Sequence, residues 1–230
     1  LADLETLERA IERTSKAAKT GDKKVLRELE ILKTTHEALS NDTQIAALLT
    51  EDEVIHALKP LCLLTAKPVV YVANVAESEL QGNEKVEALR KHAAEAVAQL
   101  VVVSAAIEQE ISEIDPSDRP SFLEDLGLDE SGLDKVIRAG YDLLGLQTFF
   151  TAGPKEVRAW TVRRGATAPQ AAGEIHTDFE RGFIRAETIA YDDFIGLNGE
   201  QGAREAGRLR LEGKEYVLSD GDIMHFRFNV

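Results

Sequence analysis

At 230 residues and 43% hydrophobic content, the chain is long enough for one large domain or two modest ones with packed cores. Its net charge of −14 excludes a nucleic-acid footprint over the whole surface, which needs clustered Lys and Arg. The single Cys62 excludes an internal disulfide and fits a reducing, cytoplasmic compartment, and no apolar run approaches the length of a membrane span.

The charge is uneven. From Gln147 onward there are 11 basic and 13 acidic residues, about −2, which leaves about −12 for the preceding part. Basic patches are therefore expected chiefly in the C-terminal part. Leu1 stands where a helical pattern is already under way, no Met begins the chain, and no secretory signal is visible there. A longer parent protein is expected.

Leu1–Leu39 has the pattern of a helical hairpin. Leu4, Leu7, Ile11 and Ala18 form one apolar stripe, Gly21-Asp22 breaks it, and Val25, Leu26, Leu29 and Leu32 form the second. Thr50-x-x-Glu53 is a capping box for a helix expected through Leu64, with Lys59-Pro60 as a kink or stop. Cys62 lies in the run Leu61–Leu64 and is expected to be buried and inert.

Val69–Val72 predicts a strand buried on both faces, with Pro68 at its entry and a polar turn from Asn74 to Glu77. Gly82-Asn83 precedes a helix with Val86, Leu89 and Ala93 on its apolar side. Leu100–Val103 predicts a second buried strand, ending at Ser104-Ala105-Ala106. Strand, helix and strand at this spacing make a parallel right-handed βαβ unit. Such a unit needs further strands to cover its sheet, a second reason to expect a longer protein. Ser112–Leu128, with Pro116 and Pro120, predicts a loop and a short helix. Ser131 caps a further helix with Leu133, Val136, Ile137, Leu143 and Leu144 apolar, which Gly145 ends.

The pattern then becomes strand-like. Thr148–Thr151 and Val157–Val162 predict a hairpin joined through Gly153-Pro154. Thr167-x-x-Gln170 with Pro169 opens a helix through Asp178, Gly182–Ala190 is a third strand, and Gly199–Gly207 a short helix or turn. Tyr216–Leu218 and Ile223–Asn229 are expected as strands of a hairpin at Asp220-Gly221, with Met224, Phe226, Phe228 and Val230 on one face. The sum is a small α+β sheet of β-grasp kind.

Ligands of open α/β sheets bind outside the carboxyl ends of the strands. Asn74, Val75 and Glu77 sit at one such end, Ser104 and Ala105 at the next. The first turn resembles the Asn-Lys-x-Asp turn with which P-loop GTPases read guanine. Here Val75 replaces the Lys and Glu77 the Asp, and the longer acid fits the guanine fork poorly. Adenine presents an acceptor where guanine presents a donor, so backbone groups near Val75 and apolar cover would hold it. An ordinary strand-ending turn is the bland alternative.

The five His residues share no ligand spacing, and Glu51-Asp52-Glu53 and Asp192-Asp193 read as first-turn helix charges, so no metal site is expected. No residue is assigned a catalytic role, and the Gly-x-x-x-x-Gly-Lys-Ser/Thr phosphate loop is absent. Arg163, Arg164, Arg181, Arg185, Arg204, Arg208 and Arg210, interleaved with Trp160 and Phe183, are candidate RNA contacts. Solvated arginines paired with the equally numerous acids are the alternative.

Three longer stretches carry a resemblance: Leu146–Thr161 (LQTFFTAGPKEVRAWT), Gly165–Gly173 (GATAPQAAG) and Ile175–Ala186 (IHTDFERGFIRA). With the turns above they make the whole chain resemble the YchF family, the Obg-like ATPases of the TRAFAC P-loop class. The resemblance implies a helical coiled-coil arm over residues 1–64, the last part of a P-loop G domain over 65–145, and a β-grasp TGS domain over 146–230. It implies base contacts from Asn74, Val75, Glu77, Ser104 and Ala105, and preference for ATP over GTP. It further implies Mg²⁺ in the full-length protein and partnership with the ribosome or RNA; a monomer is the favoured state. The family's phosphate-binding loop and switch regions are not in these residues, so this chain alone is expected neither to hold nucleotide tightly nor to hydrolyse it. The alternative is a non-catalytic ribosome- or RNA-binding module made of arm and TGS domain.

Overall fold

The structure, a computed structural model, describes every residue except Asp42, Gln44, Thr50, Pro154, Lys155 and Val230. The capping box at Thr50, the Gly153-Pro154 link and the place of Val230 in the last strand therefore lie outside the described residues. The chain divides into two compact units, Leu1–Val69 and Val70–Val230.

In the first unit, α1 (Ala2–Ala17) and α2 (Lys23–Ser40) form the expected hairpin. Gly21, at φ 77°, makes the sharp link, and Asp22 starts α2 by accepting the Lys24 N–H at 2.8 Å. Leu7 and Ala10 of α1 pack with Ile31 and Leu32 of α2 and with Ile45, Leu58 and Leu63 from the following segment. The buried stripe is shifted from the expected one: Leu26 is half exposed, and Ile31 and Thr35 are buried instead. The following segment packs along α2, where Arg27 Nε donates to Glu53 at 2.9 Å, and covers Ile31.

The helix expected through Leu64 is α3 (Asp52–Leu58) and stops early. Pro60, which lacks an N–H, sits in the 3₁₀ turn that follows, Lys59–Leu61. Cys62, in left-handed conformation at φ 49°, is turned to solvent rather than buried.

Asp3 closes this unit. Its carboxylate is buried and accepts the Leu64 N–H at 2.9 Å, the Thr65 N–H at 2.7 Å and the Thr65 hydroxyl at 2.6 Å. Burial pushes the carboxyl pKa up, but the Thr65 and Leu64 hydrogen bonds outweigh it and hold it below the ordinary value. A depressed carboxyl pKa stabilises the fold above the unfolded value, about 3.9, and loses that contribution as pH falls through the folded value. Asp3→Asn is therefore expected to lower stability by about 1–2 kcal/mol at neutral pH. In denaturant titrations the gap between variant and wild type should close below about pH 4.

The second unit begins with β1 (Val70–Asn74), α4 (Glu84–Glu95) and β2 (Gln99–Val103). The strands are parallel, in register from Val70↔Gln99 to Asn74↔Val103, as the strand–helix–strand spacing requires. Asn83 caps α4 by accepting the Val86 N–H at 2.9 Å. The strand β1 is not buried on both faces: Val72 is 47% exposed. Among the described residues β2 is its sole sheet neighbour, and one face of β1 is left partly open.

Three helices follow: α5 (Ala105–Glu113), α6 (Arg119–Asp125) and α7 (Gly132–Leu144). Ser131 caps α7 through the Asp134 N–H at 3.0 Å, and Gly145, at φ 61°, ends it.

The C-terminal part is built from β3 (Leu146–Ala152), β4 (Val157–Arg163), α8 (Ala168–Ile175), α9 (Thr177–Arg181), β5 (Phe183–Ile189), α10 (Tyr191–Gly196), α11 (Glu200–Glu205), β6 (Arg210–Glu212) and β7 (Ile223–Phe228). The sheet order is β4-β3-β7-β5-β6. Central β7 runs parallel to β3 and antiparallel to β5. Phe149, Val162, Phe183, Ala186, Met224 and Phe226 pack one sheet face against Ala168, Ala171 and Ala172 of α8. On the other face Ile189 and Ile223 pack with Ala203 of α11.

The Thr167–Gln170 capping box forms as expected. Its helix ends at Ile175, because His176 takes an extended conformation and its Nδ1 accepts the Asp178 N–H at 3.2 Å, starting α9. One expectation fails outright. Tyr216–Leu218 is not a strand, and Asp220-Gly221 does not join a hairpin. Val217 makes one isolated bridge, with Thr167. Side-chain bonds to Asp222 hold this segment: the Tyr216 hydroxyl donates at 2.7 Å and the Ser219 N–H at 2.9 Å.

Candidate functional site

The parallel register aligns the ends of β1 and β2, and the polar turns that follow are joined there. The Val75 N–H donates to the Val103 carbonyl at 2.9 Å, extending the ladder past the strand. The Asn74 side-chain carbonyl accepts the Ala105 N–H at 3.0 Å. The donor is a backbone amide, so the Asn74 oxygen must face it, which leaves the Asn74 NH₂ to donate elsewhere. A purine presents an acceptor at N7 in both adenine and guanine, so this group suits a purine without telling the two apart.

Ser104 heads α5, yet its side chain does not cap the helix. It is 2% exposed, and its hydroxyl has no hydrogen-bond partner among the described residues. An unpartnered buried hydroxyl costs free energy that a bound group can recover. Four of the five expected residues, Asn74, Val75, Ser104 and Ala105, thus come together. Glu77 does not join them: it is exposed, opens a 3₁₀ turn, Glu77–Glu79, and bonds to neither loop among the described residues. A cleft of about 480 Å³ lies on the α4 side of the β1 end, lined by Asn74, Val75, Ala76, Asn83, Lys85 and Leu89.

Sequence reasoning missed two residues that hold this arrangement. The Glu108 carboxylate accepts the Gly132 N–H at 2.7 Å and the Leu133 N–H at 3.1 Å, pinning α5 to the start of α7. Gly132 sits so close to β2 that a Cβ there would stand 2.9 Å from Val103 Cγ1. The pairing spans 24 residues, and no local spacing announces it.

The expected arginine patch is not one patch. Arg163 lies opposite Leu146 at one end of the sheet. Arg185 lies opposite Arg227, beyond the other end of β3. They stand about eight strand residues, roughly 26 Å, apart along the strands. Arg164 is paired with Asp142 and Arg208 with Asp193 at 3.7 Å. Arg204 pairs with Glu200, and Arg210 reaches Asp222 and Glu212. Arg163, Arg181 and Arg185 are exposed and in no ion pair among the described residues. Phe183 is 4% exposed within the core and offers no ring face to a base, contrary to expectation. Among the described residues no His, Cys, Asp or Glu cluster is placed for a metal ion. No helix there is long and apolar enough to cross a membrane.

Comparison with known proteins gives consistent results. The family model YchF-GTPase_C, described as a protein of unknown function (DUF933), matches residues 146–229. The chain is 55% identical, over all its 230 residues and 63% of the relative, to a protein of Haemophilus ducreyi named "Ribosome-binding ATPase YchF". It is 53% identical to a protein of that name from Bacillus subtilis, covering all of this chain and 64% of the relative. It is 38% identical to the rat "Obg-like ATPase 1", covering all of this chain and 59% of the relative. The fold matches the solved structure of the Schizosaccharomyces pombe YchF GTPase with a TM-score of 0.83 at 33% identity, over 98% of this chain and 62% of that one. The chain thus spans just under two thirds of the length of the curated relatives it matches.

Proposed function

Because the chain belongs to the YchF family, we propose that it supplies the base side of a nucleotide pocket in a cytoplasmic, ribosome-associated protein that binds and hydrolyses ATP in preference to GTP. The observation that carries this reading is the Asn74–Ala105 bond, which joins the two strand-end turns. The unpartnered Ser104 hydroxyl beside it also fits a bound group. In this reading Asn74, Val75, Ser104 and Ala105 hold and orient the base, Glu77 from its exposed turn limits which base fits, and none performs chemistry. ATP with Mg²⁺ supplies the γ-phosphate that water attacks. These residues include no phosphate loop, so the chain alone is inactive and holds nucleotide weakly.

In the same reading, residues 1–64 are a coiled-coil arm, 65–145 the last part of a G domain and 146–230 a β-grasp TGS domain. The α1–α2 hairpin, the parallel strand pair and the five-stranded sheet packed on α8 support it. Ribosome contact falls to the arm and the TGS domain, with Arg163, Arg181 and Arg185 as the RNA-facing cations and the protein acting as a monomer.

The choice of base tests the reading. In a polypeptide of the relatives' full length, Glu77→Asp shortens the acid toward the guanine-reading form. GTP affinity is expected to rise about tenfold, the effect of one good charge-assisted hydrogen bond. Unchanged GTP affinity in competition titrations would show that Glu77 does not face the base.

A further inference from the structure

Where α8 ends, beside the tip of the β3–β4 hairpin, a cleft of about 490 Å³ opens on the inner sheet face. Trp160, Ile175, Phe179, Met224 and Phe228 wall it. It takes no part in the nucleotide reading. The walls are chiefly apolar, with Glu156 and His225 at the edge, and the Trp160 indole N–H is already spent on Thr151 Oγ1 at 2.9 Å. The rings are engaged as well. Trp160 stacks with Phe149 at a centroid distance of 6.4 Å, and Phe179 with Phe228 at 3.8 Å. Such a cleft suits an aliphatic or aromatic side chain, which gains by leaving water alone. It suits a nucleobase poorly, since a base needs an open ring face and partners for its edge.

The rim carries charge. Arg158 is exposed, and its guanidinium lies 4.0 Å from the centre of the Trp160 ring. Among the described residues it pairs with no carboxylate. A guanidinium held over an aromatic ring is preorganised to receive a carboxylate. Glu156, also on the rim, repels a polyanionic phosphate backbone and confines a single docked carboxylate to the Arg158 side.

We propose that this cleft docks a segment of another protein, which inserts one bulky apolar side chain and sets a neighbouring carboxylate against Arg158. The site is independent of the nucleotide pocket, so either stands if the other fails.

Trp160 is the only tryptophan of the chain, so its emission reports on the cleft directly. The test titrates the 230-residue chain with acetyl-Asp-Leu-amide, acetyl-Lys-Leu-amide, acetyl-Asp-Ala-amide and hexauridylate. Trp160 fluorescence and the NMR amide shifts of Gly153, Phe179 and Phe228 are followed. The Asp-Leu peptide is expected to move both signals, and the Lys-Leu and Asp-Ala peptides to bind about tenfold more weakly. In Arg158→Gln, a change at an exposed side chain, the Asp-Leu and Lys-Leu peptides should bind alike. Ile175→Phe, which fills the cleft, should abolish the response to both. The proposal is overturned if no peptide moves these amides, if Arg158→Gln leaves the preference for Asp-Leu intact, or if hexauridylate moves the amides at lower concentration than Asp-Leu.

Discussion

Replacing Asp222 by alanine is expected to destabilise the C-terminal sheet by about 2–4 kcal/mol. Asp222 is 1% exposed. One carboxylate oxygen accepts the Tyr216 hydroxyl at 2.7 Å and the Ser219 N–H at 2.9 Å, and the other faces Arg210 Nη2 at 3.4 Å. Arg210 in turn donates to the Tyr216 hydroxyl at 3.0 Å. Burial and the Asp222 charge both push the Tyr216 phenol pKa up, so the hydroxyl keeps the proton it donates. Alanine removes the acceptor for all three donors and leaves a void where the carboxylate sat; Tyr216, the half-buried donor, loses most, whereas Ser219 and Arg210 are exposed and can turn to water. The Asp222 backbone carbonyl also accepts the Phe150 N–H at 2.8 Å, so the loosened loop leads directly into β3. Tyr216→Phe should cost about 1 kcal/mol: it removes the bond donated to Asp222 and the one accepted from Arg210, but the half-exposed guanidinium can turn to water. Urea titration followed by Trp160 fluorescence measures both. A loss below 1 kcal/mol for the alanine variant would mean that water replaces the carboxylate without penalty.

Glu108→Ala is expected to cost about 2–4 kcal/mol, because the Gly132 and Leu133 amides lose a charged acceptor at the start of α7. Its second effect is local. Glu108 lies in the first turn of α5, whose leading residue, Ala105, is the one Asn74 holds. Once α5 is freed from α7, the Ala105 amide should lose protection from hydrogen exchange before the β1–β2 ladder does. Glu108→Gln keeps an acceptor and should lose less. Amide exchange by NMR distinguishes this from general destabilisation, in which Ala105 and the ladder amides would lose protection together.

Asp222 also explains the limits of sequence reading here. Asp220-Gly221 has the composition of a two-residue hairpin turn, and Tyr216–Leu218 that of a short strand. Neither pattern carries the information that a buried aspartate 6 residues beyond Tyr216 captures its hydroxyl, while the Tyr216 and Leu218 backbone pairs with Ala168 and Ala166 rather than with β7. His176 shows the same limit on a smaller scale, since a ring nitrogen starting a new turn has no period. The elements that were legible rest on local signals: the 3.6-residue stripes of the α1–α2 hairpin, the parallel strands flanking α4, the Thr167–Gln170 capping box, and the β3–β4 alternation. The burial of β1 was misjudged because an apolar run does not show what covers it, and one face of β1 is left partly open among the described residues. At the candidate site, both turns were legible as strand ends. The Asn74–Ala105 bond joins residues 31 apart and Glu108–Gly132 residues 24 apart, and such pairings emerge only once the parallel register is known.

The base-side account meets its most direct test in one competition measurement. A polypeptide of the relatives' full length, carrying these 230 residues, is loaded with a fluorescent purine nucleotide and displaced with ATP or with GTP in the presence of Mg²⁺. The account predicts that ATP displaces the probe at lower concentration than GTP, and that Asn74→Ala weakens both. GTP matching or exceeding ATP, or Asn74→Ala leaving both affinities unchanged, would contradict it.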